Sequence, residues 1–345
     1  MHHGHKLMWL AGGLGVGLFF AMFFFVPKPG ELQIPYFLQV YLPQAADKAI
    51  ADVPAPAEPK ITMTFVGDIM LARAVERSIV ANGTDWPFAE LGNLFADSDL
   101  VIGNLEGTVR PTRNLEVVNQ MVFDTTPDNI TMLAETGFTH LSLANNHTDD
   151  YGPQVTLETR QSVAENDMTP FGDPLSGGSF IARENLNGLS VSLIGFHAFG
   201  EDTENILAAI TSEAEQGRFV IVYPHWGVEY ATTAPGVETT AAKHFVQAGA
   251  DLIIGAHPHV IQNIEIIDGV PVIYSLGNFL FDQDFSAETR QGLTVKVTLT
   301  PENIQLDFTP VSIVNRQTFP MEQVAADKLL ADLDLINGSL SVPRQ

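Results

Sequence analysis

Five short apolar runs in this chain each stop at a polar cluster able to bind a metal, and that repetition limits the fold more than any other feature. Ile61-Thr62-Met63-Thr64-Phe65-Val66 ends at Gly67-Asp68, and Asp99-Leu100-Val101-Ile102 ends at Gly103-Asn104-Leu105-Glu106. His140-Leu141-Ser142-Leu143-Ala144 ends at Asn145-Asn146-His147, and Phe219 to Tyr223 ends at Pro224-His225. Asp251-Leu252-Ile253-Ile254 ends at Gly255-Ala256-His257-Pro258-His259. Such runs read as buried strands, whereas Leu71–Val80, Asp128–Thr136, Pro153–Asn166, a segment reaching Glu215 and Val237–Gly249 carry helical periodicity. Strand alternating with helix predicts an α/β domain. Ligand sites in open α/β sheets gather beyond the carboxyl ends of the strands. All five endings are therefore expected along one rim.

The residue types at that rim suit a divalent metal. Alternate residues of an extended chain face the same side, so His257 and His259 are expected to converge, with Pro258 holding His257 extended. Two neutral imidazoles meeting at one point commonly hold a transition metal. Each remaining residue has an ordinary use when taken alone: Asp68 as a turn or cap, Glu106 as a surface acid, His225 as a core histidine. Taken together they favour metal, and a carboxylate at Glu106 could bridge two ions about 4 Å apart. Asn146 offers a carbonyl oxygen, and His147 beside it a proton for a leaving group. One or two ions are expected, and these ligand types suit Mn2+, Zn2+ or Fe alike. The chain contains no cysteine, which excludes disulfides and thiolate ligands.

Charge and the amino-terminal end place the domain. With 17 Lys and Arg against 41 Asp and Glu, the formal net charge is −24. A surface so acidic excludes general nucleic-acid binding, which needs a cationic footprint. Leu7 to Val26 (LMWLAGGLGVGLFFAMFFFV) carries no charge, and twenty helical residues span about 30 Å, the thickness of a bilayer's hydrocarbon. With no cleavage site directly after it, this segment reads as an uncleaved anchor. The expected organisation is a tail and anchor over 1–27, a juxtamembrane segment and Pro/Ala-rich stalk over 28–59, and one globular domain over 60–345. The expected location is the cell membrane, single-pass, with the domain outside the cytoplasm. After His259 the texture changes to strand-like segments over Val260–Ile267, Val270–Ser275, Gln291–Leu299 and Ile304–Val314. These predict an added, mainly antiparallel sheet, closed by a helix over Glu322–Ile336; a short helix is also expected over Phe88–Phe95.

Six motifs in fixed order carry a resemblance. GD-x-M (67–70), NLEG (104–107), ANNH-x-x-D-Y-G (144–152), PHWG-x-E-Y (224–230), GAHPHV (255–260) and SLGNF (275–279) resemble the CapA-type capsule or poly-γ-glutamate synthesis family, a branch of the calcineurin-like metallophosphoesterases. The resemblance covers about residues 61 to 282. It implies a four-layer α/β/β/α sandwich, preceded here by the single transmembrane helix. It further implies a metal on Asp68, Glu106 and His259, and a second on Glu106, Asn146, His225 and His257. His147 corresponds to the histidine that protonates the leaving oxygen, with Asp150 expected to orient it. Asn104 and Asn278 are expected near substrate. Arg73, Arg110 and Arg113, close in sequence to Asp68 and Glu106, are expected to hold carboxylates or phosphates. Two positions depart from the pattern: Met70 stands where the superfamily has a histidine ligand, and a thioether is a poor ligand for hard cations, while Glu106 stands where classical phosphoesterases have Asp. Two functions fit the resemblance. One is a metal-dependent hydrolase acting on an anionic polymer, such as poly-γ-glutamate or capsule, or on a phosphoester. The other is a non-catalytic accessory subunit binding the polymer or the membrane subunits of a polymer synthase.

Overall fold

The computed structural model describes residues 58–111, 121–172, 180–199 and 203–344, and within them two sheets carry the fold. In chain order the strands are β1 (Ile61–Ile69), β2 (Leu100–Leu105), β3 (Thr108–Val109), β4 (Asp124–Thr125), β5 (His140–Ser142) and β6 (Thr169–Phe171). There follow β7 (Ile181–Leu186), β8 (Leu189–His197), β9 (Phe219–His225), β10 (Leu252–Ile254), β11 (Ile264–Ile267) and β12 (Val270–Ile273). The last are β13 (Asn278–Leu280), β14 (Gln291–Leu299), β15 (Asn303–Val314), β16 (Gln317–Pro320) and β17 (Ser339–Pro343). The helices are α1 (Arg73–Asn82), α2 (Pro127–Thr136), α3 (Pro153–Glu165), α4 (Thr203–Glu215), α5 (Gly236–Ala248) and α6 (Gln323–Asp332). The chain is α/β.

One sheet has nine strands in the order β16-β15-β14-β1-β2-β5-β6, with β13 on β1 and β17 on β15. The other has six, in the order β11-β12-β10-β9-β8-β7. The strands that end in polar clusters run parallel to their neighbours, β1 to β2, β2 to β5, and β9 to β10. Within each sheet their carboxyl ends therefore lie on the same side, and the clusters are delivered to one edge.

Period-2 alternation sorts the side chains into layers. Ile61, Met63 and Phe65 of β1 share one buried cluster with Phe219, Ile221 and Tyr223 of β9, so the two sheets face each other across it. The other face looks out. Val66, and Ile69 beyond the register shift that follows Phe65, pack with Val75 and Ile79 of α1, Ile130 and Leu133 of α2, and Val163 of α3. Val220 and Val222 pack with Ile206 and Ile210 of α4 and Phe245 of α5.

Just below the clustered ends the two sheets are tied together. The β1–β2 ladder shifts register between Phe65 and Asp68, and the Val66 carbonyl there accepts a hydrogen bond from the buried Tyr223 hydroxyl of the other sheet. The Phe65 and Tyr223 rings stack at 6.2 Å. Gly67 lets β1 press against the 277 loop: a Cβ at that position would lie 1.9 Å from the Gly277 carbonyl oxygen. The Asp68 amide then donates to that same oxygen at 3.1 Å.

Four expectations need correction. The segment after His259 does not build a separate sheet, because β14 pairs antiparallel with β1 and extends the larger one, while β11 and β12 join the smaller. The short helix expected over Phe88–Phe95 is a 3-10 turn at Trp86–Phe88 followed by turns, since Pro87 and Gly92 interrupt it. The last helix stops at Asp332, and Ser339–Pro343 returns as a strand on β15. The backbone at His257 is also not extended, as described with the site below. The expected anchor and stalk lie outside the described residues; among the described residues no helix is long and apolar enough to cross a membrane.

Replacing Tyr223 by Phe removes the only hydrogen on the ring able to reach Val66 and leaves a buried carbonyl without its donor. Tyr223→Phe is expected to cost about 1–3 kcal/mol, read as a lower urea midpoint with an unchanged slope. An unmoved midpoint would show that the tie between the sheets carries no stability.

Candidate metal centre

Asp68, at the end of β1, is fully buried and sits at the middle of the cluster. In register beside it lie Asn104 of β2 and Asn278 of β13. Asn104 Nδ2 donates to Asp68 Oδ1 at 2.8 Å, and the His257 backbone amide donates to Oδ2 at 3.1 Å. His259 Nδ1 lies 3.3 Å from Oδ2, and His225 Nδ1 lies 3.7 Å from Oδ1. One carboxylate thus touches three strand ends and both site histidines of the His-Pro-His turn.

Glu106 follows β2 and is 1% exposed, yet neither carboxylate oxygen has a hydrogen-bond partner. Its nearest cationic candidates are His259 Nε2 at 3.7 Å and His147 Nε2 at 3.8 Å. A buried carboxylate in that state is costly by itself. One donor atom each from Asp68, Glu106 and His225 lies within 4.8 Å of the others, close enough for one cation.

The histidines are set by their neighbours. Asn104 also faces His225 Nδ1 at 3.3 Å, while His225 Nε2 lies 2.8 Å from Asn146 Oδ1 and 3.1 Å from His257 Nδ1. Since Asn104 must present its NH2 to Asp68, His225 keeps its lone pair at Nδ1 and donates from Nε2. His259 Nδ1 donates to Asn278 Oδ1 at 3.0 Å, which leaves Nε2 turned toward Glu106. His147 Nδ1 lies 2.9 Å from Asp150 Oδ2, and Phe123 stacks on the imidazole at 3.9 Å.

Electrostatics follow from burial and from this crowding. Burial, opposed by His259 and reinforced by Asp68, pushes the Glu106 carboxyl up to about 7. Burial and the nearby His259 push His257 down to about 4, and burial with His257 drives His225 well below the usual imidazole range. Burial also disfavours charge on His259, but Glu106 and Asp68 outweigh it and lift that ring to about 9. A divalent cation held among these groups would let the Glu106 carboxylate ionise and keep the ligating imidazoles neutral, the form in which both bind metal. The donor set fits such an ion.

His257 and His259 both have positive φ, 100° and 58°, so the extended geometry expected for His257 is wrong. The strand ends at Ile254. Gly255 then packs its α-carbon where a Cβ would lie 2.1 Å from Tyr274 O, and the chain turns so that the His257 amide can meet Asp68. Non-glycine residues in this region cost about 1–3 kcal/mol each and collect at functional sites. The rings still come near one another, with centroids 5.9 Å apart.

The arginines are placed differently from the candidate metal ligands. Arg73 forms an ion pair with Asp282 and lies over the Phe123 ring. Arg110 pairs with Asp124 at 3.0 Å and covers Tyr151. Arg113 lies outside the described residues. Met70 is buried in the outer cluster with Val66 and Ile69, and its sulfur accepts the Ala72 amide at 3.0 Å. Of the neighbouring aromatics, Trp226, Phe279 and Phe281 are core residues, and Phe281 also packs on His259 at 4.7 Å.

Sequence reading passed over Asn145. Its buried amide donates to Asn104 Oδ1 at 3.0 Å and to the Leu105 carbonyl at 2.9 Å, while its own oxygen accepts the His147 amide at 3.0 Å. The doubled asparagine was the available signal, but only contacts across 40 residues separate the role of Asn145 from that of Asn146.

Residues 62–283 match the family described as "Bacterial capsule synthesis protein PGA_cap". The chain is 33% identical over 309 residues to "Capsule biosynthesis protein CapA" of Bacillus anthracis, covering 81% of this chain and 74% of that protein. It is 32% identical over 283 residues to "PGA biosynthesis protein CapA" of Bacillus subtilis (strain 168), covering 76% and 74%. A "Probable polyglutamine synthesis accessory protein" of Mycobacterium tuberculosis is 25% identical over 270 residues, covering 67% and 70%. With its strand ends, motif order and overall length of match all in agreement, this chain belongs to the PGA_cap bacterial capsule synthesis family.

Proposed function

We propose that this chain serves capsule or poly-γ-glutamate synthesis as a metal-dependent hydrolase, anchored in the cell membrane through residues 7–26 with its domain outside the cytoplasm. Its substrate is the anionic polymer, or a phosphoester made with it. The role in capsule synthesis rests on the relatives, and the hydrolytic chemistry rests on the site. The single observation that carries the chemistry is Glu106, fully buried with both oxygens unpartnered beside Asp68 and three imidazoles. We read the two facing sheets with helices outside each as the α/β/β/α sandwich of the calcineurin-like metallophosphoesterases.

Asp68, Glu106, His225, His257 and His259 would hold the cation, with Asn146 next to His225. When bound, the metal would act as a Lewis acid on the scissile group and lower the pKa of water. The protein's own part is positional. Asp68 fixes the His257 amide and the Asn104 side chain, and Asn278 fixes the His259 tautomer. His147, 15% exposed, has Nδ1 held by Asp150 and Nε2 pointing into the site. It can therefore hand a proton from Nε2 to the leaving group while Asp150 stabilises the ring. Asp150 is itself steadied by the Phe123 amide at 2.6 Å.

Met70 favours a second reading, an accessory subunit that binds the polymer or partner synthase subunits without turnover. Its side chain belongs to the outer cluster, so position 70 supplies no ligand.

Full-length protein in detergent, assayed for metal content and for shortening of poly-γ-glutamate or cleavage of a small phosphodiester, separates the two. We expect bound divalent metal, lost in Glu106→Gln. His147→Ala should keep its metal while turnover falls about 10²–10⁴-fold. A metal-free wild type, or turnover indifferent to His147→Ala, would overturn the hydrolase reading; metal without turnover on either substrate would favour the accessory role. Deleting residues 7–26 should move the protein from the membrane to the soluble fraction, and retention on the membrane would overturn the anchor.

A further inference from the structure

The mouth of the centre is built from groups that neither the metal nor the His147 dyad uses. Tyr230 has φ 66°, a strained value for this residue type. Its amide donates at 2.8 Å to the carbonyl of Pro258, between the two site histidines. Its ring lies 6.2 Å from that of His259 and is 42% exposed. Phe285, 66% exposed, meets the Tyr230 ring edge-on at 5.1 Å. Packing does not account for a strained backbone that holds an aromatic pair half in water beside buried imidazoles.

Hydrogen-bond polarity gives the direction in which this pair works. The Thr289 carbonyl can only accept, so Asn278 turns its NH2 to it at 2.9 Å and donates also to Gln283 Oε1 at 3.1 Å. Gln283 must then present Nε2 to the Tyr230 hydroxyl, at 3.2 Å. The phenol proton is left to point away from Gln283, toward the exposed Glu229. Glu229 accepts a side-chain hydrogen bond from the Tyr230 hydroxyl.

A carboxylate beside exposed aromatic rings is a recognition pattern for an ammonium group, joining ionic attraction to cation–π contact. It is a poor match for the carboxylates of an acidic polymer, and Arg73 and Arg110 are already engaged by Asp282 and Asp124. In a glutamyl polymer every repeat adds a negative charge, and the one cationic group is the free amino end. We propose that Glu229, Tyr230 and Phe285 form an ammonium subsite that takes the amino end of the polymer and so directs the centre to chain ends. This deepens the polymer reading given above and rests on it.

The test is calorimetric binding of short γ-linked glutamate oligomers to full-length protein in detergent, with the amino end either free or acetylated. Wild type should bind the free-amine oligomer roughly tenfold more tightly. Glu229→Gln and Phe285→Ala, both at exposed positions, should retain wild-type metal content and narrow that ratio to about twofold or less. Equal binding of the two oligomers by wild type overturns the subsite and leaves the polymer reading standing. A tenfold preference that survives in both variants overturns the assignment to these residues. If neither oligomer binds, the polymer substrate is overturned, and the subsite with it.

Discussion

Everything at the functional edge depends on two carboxylates, Asp68 and Glu106, being kept out of water with no lysine or arginine bonded to either among the described residues. Asp68 answers that constraint with neutral donors, the Asn104 amide and the His257 backbone. Glu106 has none, only imidazoles at 3.7 and 3.8 Å. Burial is severe enough to raise Glu106 to about 7 and lower His257 to about 4, so the charged form of each is disfavoured. A divalent ion held between them would suit both at once, since it favours an ionised carboxylate and a neutral imidazole. The strained φ at His257 and His259 fits the same account, because backbone conformations this costly persist where surrounding contacts over-determine them.

The fold makes that arrangement affordable by assembling it at the end of a rigid stack. Parallel pairing places Asp68, Asn104 and Asn278 side by side in register, while the opposite sheet contributes His225. The Tyr223–Val66 hydrogen bond locks the two sheets one turn of the pleat below the donors. Side chains on strand ends backed by three packed clusters have little freedom to drift, which is what a fixed coordination geometry requires.

The strand endings were legible in the sequence because period-2 burial leaves few choices for where an apolar run stops. Asp68, Asn104, Asn146, His225 and the 257/259 pair could therefore be named from their neighbours alone. The rest depended on partners distant along the chain. Arg73 reads as a substrate residue until Asp282, 209 residues away, is found bonded to it. Likewise β14 looked like the start of a new sheet, since nothing local says that it will pair with β1. The handedness of the His257 backbone escaped because Pro258 restricts the preceding residue only statistically, whereas the Asp68 carboxylate pulls on that amide directly. Tyr230 was visible as an aromatic in PHWG-x-E-Y, but its exposure and its link through Gln283 to Asn278 were not.

Met70 shows how a single position redistributes the work of such a centre. Its thioether is fully buried, packed behind β1 with Val66 and Ile69, and spent on the Ala72 amide where α1 begins. The side chain therefore contributes to holding β1 against α1 and leaves the donor side of the strand to Asp68 alone. One donor atom each from Asp68, Glu106 and His225 lies within 4.8 Å of the others, close enough to hold a single ion. His257 and His259, arriving on a strained turn, stand within reach of the same two carboxylates. A cation placed there would depend more on the buried, unpartnered Glu106 than on the number of ligands the chain can supply.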